Sequence, residues 1–262
     1  MTTATQTVID QMGRHVVAPL SPQRIISLVP SQTELLFDLG LAGRIVGRTR
    51  FCLHPVKQVK NVAIIGGTKQ FNFDRIDQLQ PDLIIGNKEE NYREGIERLA
   101  TRYPVWVSDI FTLNDALAMI RQVGQLVGKG ERAAALAAGI EAKFAQLPRL
   151  ARPLRVGYFI WQNPYMAAGG QTFIHDMLTR CGFENVFAEM GNGRYPELTT
   201  EQIRVAQLDM ILLSSEPFPF AEKHQQGFMA EFGLPVRLVD VEMFSWYGSR
   251  LLLAADYLAR VG

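Results

Sequence analysis

The stretch RIISLVPSQTELLFDLG, residues 24–40, decides the fold of this chain. Its first part, Arg24–Val29, is an apolar run of the kind that forms a parallel strand buried on both faces. Pro30 breaks that run, and Ser31–Glu34 has the spacing of a capping box, so we expect a helix that stops at Gly40. A buried strand followed at once by a helix is the repeating unit of an α/β protein.

The same alternation of strand and helix continues along the chain. Apolar runs predict further strands over Arg44–Gly47, Pro81–Gly86, Pro104–Val107, Leu154–Trp161, Leu208–Leu213 and Pro235–Val239. Helical spacing predicts helices over Asn91–Thr101, Thr172–Cys181, Glu222–Phe232 and Gly248–Val261. Strands separated by helices favour mainly parallel sheets.

Residues 113–147 break this alternation, because they are rich in Ala and Leu at helical spacing. Turn residues occur there only around Gly128–Gly130, so we predict two helices, the second from about Glu131 to Leu147. The segment Pro148–Pro153 then ends the helix. We therefore predict two Rossmann-like α/β lobes, over 1–125 and 153–262, joined by a single long rigid helix within 126–152.

A weak internal repeat supports two similar lobes. QPDLIIG at 80–86, a helix and PVWVSD at 104–109 resemble QLDMILL at 207–213, a helix and PVRLVD at 235–240. Ligands of parallel α/β sheets bind beyond the carboxyl ends of the strands. We therefore expect the ligand cleft to lie between the two lobes.

Composition excludes several classes of protein. The chain has 262 residues, 47% hydrophobic and 20% charged, which is typical of a globular protein and not of a disordered one. A net charge of +1 argues against nucleic-acid binding. Two cysteines are too few for a disulfide framework or a four-cysteine zinc site, and Cys181 is expected to be buried in the core.

The N-terminal segment does not have the pattern of a secretion signal. Asp10, Gln11, Arg14 and His15 interrupt every apolar run there, and no later run is long enough to span a bilayer. We therefore expect either a cytoplasmic protein or a mature form whose signal has been removed. The chain also has no phosphate-binding loop, dinucleotide fingerprint, HExxH motif or paired CxxC motif.

Each predicted strand runs into a loop that holds aromatic or charged residues. These loops are Arg48–Pro55, Asn87–Glu90, Trp161–Met166, Ser214–Phe220 and Glu242–Tyr247. Aromatic side chains offer a large apolar area at low entropic cost, which suits a broad, flat ligand. This edge of each lobe is therefore the predicted binding surface.

Together with GG-T at 66–68 and FDRIDQLQPDLIIG at 73–86, the opening stretch resembles the first lobe of class III, helical-backbone solute-binding proteins of ABC importers. The resemblance extends from Arg24 to Val261 and is strongest to the vitamin B12 (cobalamin) receptors. It implies a non-enzymatic, monomeric protein of the periplasm or cell envelope, without an intrinsic cofactor. Such a protein binds a corrinoid between its lobes and delivers it to a permease.

The resemblance also assigns roles to residues. Phe51 and His54 match the aromatic loop of the first lobe, while Trp161–Tyr165 and Trp246 match the second. The complete set of predicted ligand-binding residues is Phe51, His54, Lys88, Trp161, Tyr165, Tyr195, Phe218, Trp246 and Tyr247.

Two further roles come from the same resemblance. Glu94 and Glu222 match surface carboxylates that pair with permease arginines in the family. The His54 imidazole is a candidate ligand for the metal of a bound macrocycle, because neutral imidazole coordinates both cobalt and iron.

Two alternatives stay open at this level. One is a receptor for haem or an iron–siderophore, for which the cationic candidates are Arg48, Arg50, Lys69, Lys88, Arg194 and Arg250. The other is a cytoplasmic chelatase-like enzyme that inserts a metal into a tetrapyrrole, using His54 with Glu216 or Glu242. The sequence RFCLHP at 50–55 replaces the tyrosine-rich loop of familiar cobalamin receptors, which leaves the ligand undecided.

Overall fold

A five-stranded sheet and a six-stranded sheet organise the described chain, beside two two-stranded hairpins. A computed structural model describes residues 4–148, 150–191 and 193–261. These residues divide into two compact units. The first unit runs to Ile110 and also includes Asn114–Glu141 and Tyr247–Arg250. The second comprises Phe111–Leu113, the chain from Ala142 to Trp246, and the segment that begins at Leu251. The prediction of a two-lobed α/β protein is confirmed.

The first part of the element order runs to Ala145. The elements are β1 Thr5–Ile9, β2 His15–Pro19, β3 Ile25–Ser27, α1 Pro30–Asp38, a 3-10 helix Ala42–Arg44, β4 Ile45–Arg48, α2 Val56–Val59, β5 Ala63–Ile64, β6 Gly66–Gly67, β7 Gln70–Phe71, α3 Phe73–Leu79, β8 Leu83–Asn87, α4 Arg93–Ala100, β9 Val105–Ser108, α5 Leu113–Leu126 and α6 Gly130–Ala145.

An all-parallel sheet forms the centre of the first unit, with strand order β5-β4-β3-β8-β9. Ile25 pairs with Leu83, and Ile84 pairs with Val105. Ile25, Leu83 and Ile84 are fully buried, as expected for a parallel sheet covered on both faces. Burial of each such side chain contributes about 1.5–3 kcal/mol.

The hairpin β1–β2 is absent from the sequence-based prediction. Its strands pair antiparallel, and Gly13, at φ 74°, allows the turn between them. Asp10 is 4% exposed, and its carboxylate accepts hydrogen bonds from the backbone of Arg14 at 2.8 Å and of Val107 at 3.2 Å. The hairpin is thus attached to β9 through a buried carboxylate, which no periodicity in the sequence indicates.

The start of α1 differs from the predicted capping box. The helix begins one residue earlier, at Pro30, because proline is well suited to the first helical turn. Val29 occupies the N-cap position, so no side chain caps the helix, and Ser31 lies inside it. Glu34 forms an ion pair with Arg250 instead of reaching back to the N-terminus.

The two helices predicted over residues 113–147 are present, and the second, expected from about Glu131 to Leu147, is α6. Two helices, α5 and α6, are separated because Gly128 adopts φ 71° and the N–H of Lys129 bonds to the Gly124 carbonyl. Helix α6 ends at Ala145, before Pro148. The division between the two compact units falls inside α6, after Glu141. The lobe bounds expected from the sequence stay a prediction.

The remaining elements belong to the second part of the chain. They are β10 Leu154–Trp161, β11 Tyr165–Ala167, α7 Phe173–Arg180, β12 Phe183–Asn185, β13 Glu197–Leu198, α8 Thr200–Val205, β14 Met210–Ser214, α9 Glu222–Phe232, β15 Val236–Val239, α10 Glu242–Ser245 and α11 Leu251–Leu258. The sheet order is β13-β11-β10-β14-β15, and β12 also pairs with β10.

The second sheet mixes strand directions. Strands β10, β12, β14 and β15 are parallel, while β11 and β13 run antiparallel to their neighbours. Phe159, Phe187 and Phe228 form the centre of its core and are fully buried. Cys181 is also buried, as predicted. The repeated sequence segments form matching units, β8–α4–β9 and β14–α9–β15, each with its two strands parallel and adjacent.

Candidate ligand-binding site

The carboxyl ends of the first sheet carry polar side chains that are buried. Ser27, Arg48, Asn87 and Ser108 end β3, β4, β8 and β9, and none is more than 7% exposed. A buried polar side chain needs a hydrogen-bond partner, so these residues organise the loops that follow. The burial of these four polar residues was not predicted from the sequence. The polar residue that follows each apolar run could have indicated it.

In the loop after β4, successive side chains alternate between the core and the solvent. Cys52 is buried, while Phe51 and Leu53 are 54% and 60% exposed. The Cys52 sulfur lies 3.1 Å from the hydroxyl oxygens of both Thr33 and Thr49. Burial raises the pKa of the Cys52 thiol, so the thiol stays protonated and holds the loop in place.

The exposed Phe51 ring lies against the backbone of the next loop. A Cβ atom built on Gly67 would lie 3.3 Å from the ring atom Cε2 of Phe51.

The Arg48 guanidinium is buried and donates to the carbonyls of Val59 and Thr49, at 2.9 and 3.1 Å. Arg48 therefore anchors this loop, and Phe51 presents its ring to solvent.

An amide network supports the loop after β8. The Asn87 backbone N–H donates to Asn91 Oδ1 at 2.9 Å, and Asn91 Nδ2 donates to the carbonyls of Leu28 and Thr68. Asn87 Nδ2 donates to Ser108 Oγ at 3.0 Å. One side chain, Asn91, thus connects the ends of three segments of the first unit.

Lys88, a predicted ligand-binding residue, has a carboxylate partner in the structure. Its ammonium lies 2.6 Å from Asp109 Oδ2. Lys69, in the preceding loop, donates to the carbonyl of Glu89 at 2.5 Å. Burial, followed by the charge of Glu89, raises the pKa of Glu90. These contacts place charges of both signs on this part of the edge.

Aromatic rings line the carboxyl-end loops of the second sheet. Trp161 is 37% exposed, and its ring centroid is 5.5 Å from that of Phe218 in an edge-to-face arrangement. Phe218 packs in turn on Phe220 and on His224, with centroid distances of 4.6 and 5.1 Å. This packing holds the Trp161 ring in a fixed orientation at the surface.

Tyr165 stands apart from these rings. It packs on Phe228 and Phe232, and its hydroxyl donates to Glu231 Oε2 at 2.7 Å. Desolvation, reinforced by Glu231, raises the pKa of Tyr165 to about 12. The structure thus gives Tyr165 a packing role against α9, and its role as a ligand contact stays a prediction.

The other predicted ligand-binding residues have varied surroundings. His54, Tyr195 and Trp246 are partly buried, and Tyr247 is 6% exposed. Trp246 belongs to the second unit and Tyr247 to the first. Their contact with a ligand stays a prediction.

The two predicted docking carboxylates both occupy first turns of helices. Glu94 lies in the first turn of α4 and Glu222 in that of α9, and both are exposed. Neither forms an ion pair with another described residue. A carboxylate at a helix N-terminus is favoured by the helix dipole and keeps its charge available to a partner.

No group of three or more His, Cys, Asp or Glu side chains among the described residues could hold a metal ion. Among the helices of the described ranges, none combines the length and apolar character needed to cross a membrane.

Comparison with known families decides the class of protein. A family model described as periplasmic binding protein matches residues 25–233. The chain belongs to the periplasmic binding protein family. The class III assignment made from the sequence is thereby confirmed. Members of this family are periplasmic, non-enzymatic transport components that bind small ligands and deliver them to ABC permeases.

Relatives within the binding-protein family differ in their named ligands. A vitamin B12-binding protein of Pectobacterium carotovorum subsp. carotovorum is 28% identical over 243 residues, covering 90% of this chain and 87% of that protein. The periplasmic vitamin B12-binding protein BtuF of Vibrio cholerae has a TM-score of 0.76 at 22% identity, covering 92% of this chain and 96% of its own. The periplasmic haem-binding protein BhuT with two haems has a TM-score of 0.77 at 25% identity, covering 92% and 97%.

Proposed function

We propose that this protein is the substrate-binding component of an ABC importer and that its ligand is a corrinoid of the cobalamin type. The observation that carries the proposal is the near end-to-end likeness to a vitamin B12-binding protein, over 90% of this chain and 87% of the relative. The same likeness supports a non-catalytic binding protein that is located in the periplasm.

The loops at the strand ends supply suitable surfaces for such a ligand. Phe51 and Trp161 expose aromatic rings that are held by their surroundings, and a corrin ring presents a broad apolar face. Rings that are already oriented lose little entropy when they bind. The placement of the ligand between lobes stays a prediction from the sequence.

Titration with cyanocobalamin tests the proposal. We expect saturable, equimolar binding by calorimetry, with haem and a ferric siderophore titrated in parallel. Phe51→Ala should weaken the binding by about tenfold, because it removes roughly 1.4 kcal/mol of apolar contact. Leu53→Ala is the matched control, because Leu53 is an apolar residue of similar exposure on the same loop. Absence of cyanocobalamin binding would contradict the proposed ligand.

Haem is the second candidate ligand. BhuT, with 25% identity and 97% of its length covered, is described with two haems bound. Saturable binding of haem without binding of cyanocobalamin would replace the ligand and keep the transport role. A chelatase-like enzyme is disfavoured, because the chain belongs to a family of non-enzymatic binding proteins.

A role for His54 in metal coordination is a separate hypothesis. His54 follows the exposed segment Phe51–Leu53 and is partly buried. If its imidazole coordinates the metal of the ligand, His54→Ala will shift the visible absorption of bound aquocobalamin and weaken its binding by about tenfold. Cyanocobalamin, whose metal has a tightly held axial ligand, serves as the control ligand. Unchanged spectra and affinity in the variant would refute coordination.

We also propose that Glu94 and Glu222 contact the permease. Charged groups at a binding surface set the orientation and the association rate of a partner. We expect Glu94→Gln to weaken stimulation of the permease ATPase by about tenfold while ligand affinity is unchanged. Glu201→Gln is the control, because Glu201 is also an exposed carboxylate in a first helical turn. Equal effects of the two substitutions would contradict a specific contact.

A further inference from the structure

A polar pocket of about 530 Å³ lies in the first unit, beside the loop that carries Phe51. Its volume is in the range of small-molecule sites. Two arginines from different elements line it, Arg50 from the loop after β4 and Arg98 from α4. The polar side chains of Gln70, Asn72 and Asp74 also line the pocket.

The orientation of Arg98 is set by an aromatic ring. Its guanidinium carbon lies 3.8 Å from the centroid of the Phe73 ring. A guanidinium stacked on a ring keeps its in-plane N–H groups available, and these match the two oxygens of a carboxylate or phosphate. Phe73 is itself held by an edge-to-face contact with Phe71, which is 6% exposed.

The donors of this pocket are not used by other groups of the described chain. Neither the Arg50 nor the Arg98 guanidinium donates a hydrogen bond to a described residue. By contrast, the neighbouring Arg93 and Arg102 are paired with Glu97 and Asp77. The charge of Arg98 contributes to lowering the pKa of Asp77, but neither guanidinium forms an ion pair with a described carboxylate. Two guanidinium groups with free N–H donors on one concave surface therefore attract an anion.

The pocket wall is built on a turn that requires glycine. Gly66 adopts φ 117°, and a Cβ atom there would lie 2.3 Å from the carbonyl oxygen of Gln70. This close approach forms the hairpin β6–β7 and brings Gln70 to the pocket. The Asn72 Oδ1 atom accepts from the Arg75 N–H at 3.0 Å, which leaves its amide N–H₂ as a donor.

We infer that this pocket binds an oxyanion group, a carboxylate or a phosphate, held between Arg50 and Arg98. The Asp74 carboxylate on the same lining opposes the anion and lowers its affinity. The group is either a free small anion or an anionic substituent of the transported ligand. The inference rests on the pocket alone and does not depend on the proposed function.

Titrations with inorganic phosphate and with citrate, followed by calorimetry at low ionic strength, test the site. We expect saturable binding that Arg98→Gln weakens by about tenfold or more. Arg98→Lys should recover only part of it, because lysine keeps the charge but not the bidentate geometry. Arg204→Gln is the control, because it removes one exposed arginine from the second unit.

A gain of affinity provides the stricter test, because a misfolded variant cannot produce it. Asp74→Asn should strengthen anion binding by about threefold to tenfold, since it removes a like charge from the lining. The source of the anion is decided by titrating the wild type and Arg98→Gln with cyanocobalamin and with haem. If Arg98→Gln binds cyanocobalamin or haem more weakly than the wild type does, the pocket holds the phosphate or carboxylate group of that ligand. If only the binding of inorganic phosphate is saturable and weakened, the pocket holds a free anion. If no probe responds to Arg98→Gln and Asp74→Asn, the inference is overturned.

Discussion

Replacement of Arg250 by glutamine is expected to lower the free energy of unfolding by about 3 kcal/mol. The Arg250 guanidinium donates two hydrogen bonds to the Glu34 carboxylate, at 2.8 and 2.6 Å. The side chains are 9% and 13% exposed, so the substitution leaves a carboxylate with little access to water. Breaking such a pair is costly because the remaining charge is desolvated without a partner.

A double-mutant cycle measured by chemical denaturation distinguishes the coupling between Glu34 and Arg250 from the packing that each substitution removes. Glu34→Gln with Arg250→Gln should cost about 2 kcal/mol less than the sum of the two single changes. Arg93→Gln is the matched control, because Arg93 and Glu97 also lie 2.6 Å apart but are 84% and 58% exposed. That control should change stability by less than about 0.5 kcal/mol. Additive effects of the two buried changes would show that the pair is not coupled.

The second large effect is expected at Asn91, where alanine should lower the free energy of unfolding by about 3 kcal/mol. The substitution removes the acceptor of the Asn87 N–H and the donor to the carbonyls of Leu28 and Thr68. Asn91 is 4% exposed, Asn87 is 1% exposed and Leu28 is fully buried, so water replaces these bonds poorly.

Amide hydrogen exchange gives a local measurement of the same change. The Asn87 N–H should lose protection in Asn91→Ala by more than global destabilisation explains. Asn91→Asp keeps the acceptor for that N–H and should preserve more of its protection. Asn61→Ala, at an exposed asparagine of the same unit, should change stability by no more than about 0.5 kcal/mol. Full protection of Asn87 in the alanine variant would contradict the role assigned to Asn91.

Long apolar runs made most of the parallel sheet predictable. The expected strand Leu154–Trp161 and the expected helix Glu222–Phe232 coincide with β10 and α9, because burial on both faces and helical periodicity act over many residues. The hairpin β1–β2 was missed, since its attachment depends on one buried carboxylate, Asp10, and on contacts nearly 100 residues away. Long-range contacts of this kind leave no local pattern.

The exposure of two predicted site residues could be anticipated from the sequence, but the surroundings of others could not. Phe51 and Trp161 are exposed aromatic residues on loops after strands, as the sequence suggested, and their contact with a ligand stays a prediction. Tyr165 occurs in an equivalent sequence position, yet its ring packs against α9 and its hydroxyl bonds to Glu231. Loop position alone does not distinguish a side chain that faces solvent from one that faces its own core.

The segment Tyr247–Arg250 has a consequence for how this protein can be divided. It belongs to the first compact unit, although the chain on both sides of it belongs to the second. A fragment that ends at Glu141 would therefore lack Arg250 and keep Glu34 without its partner. It would also lose Gly248, where any Cβ atom would lie 2.8 Å from the Ser31 carbonyl oxygen. No single cut in the gene yields either unit whole. The two halves can therefore be exchanged with those of relatives only if the segment Tyr247–Arg250 comes from the same protein as the N-terminal half.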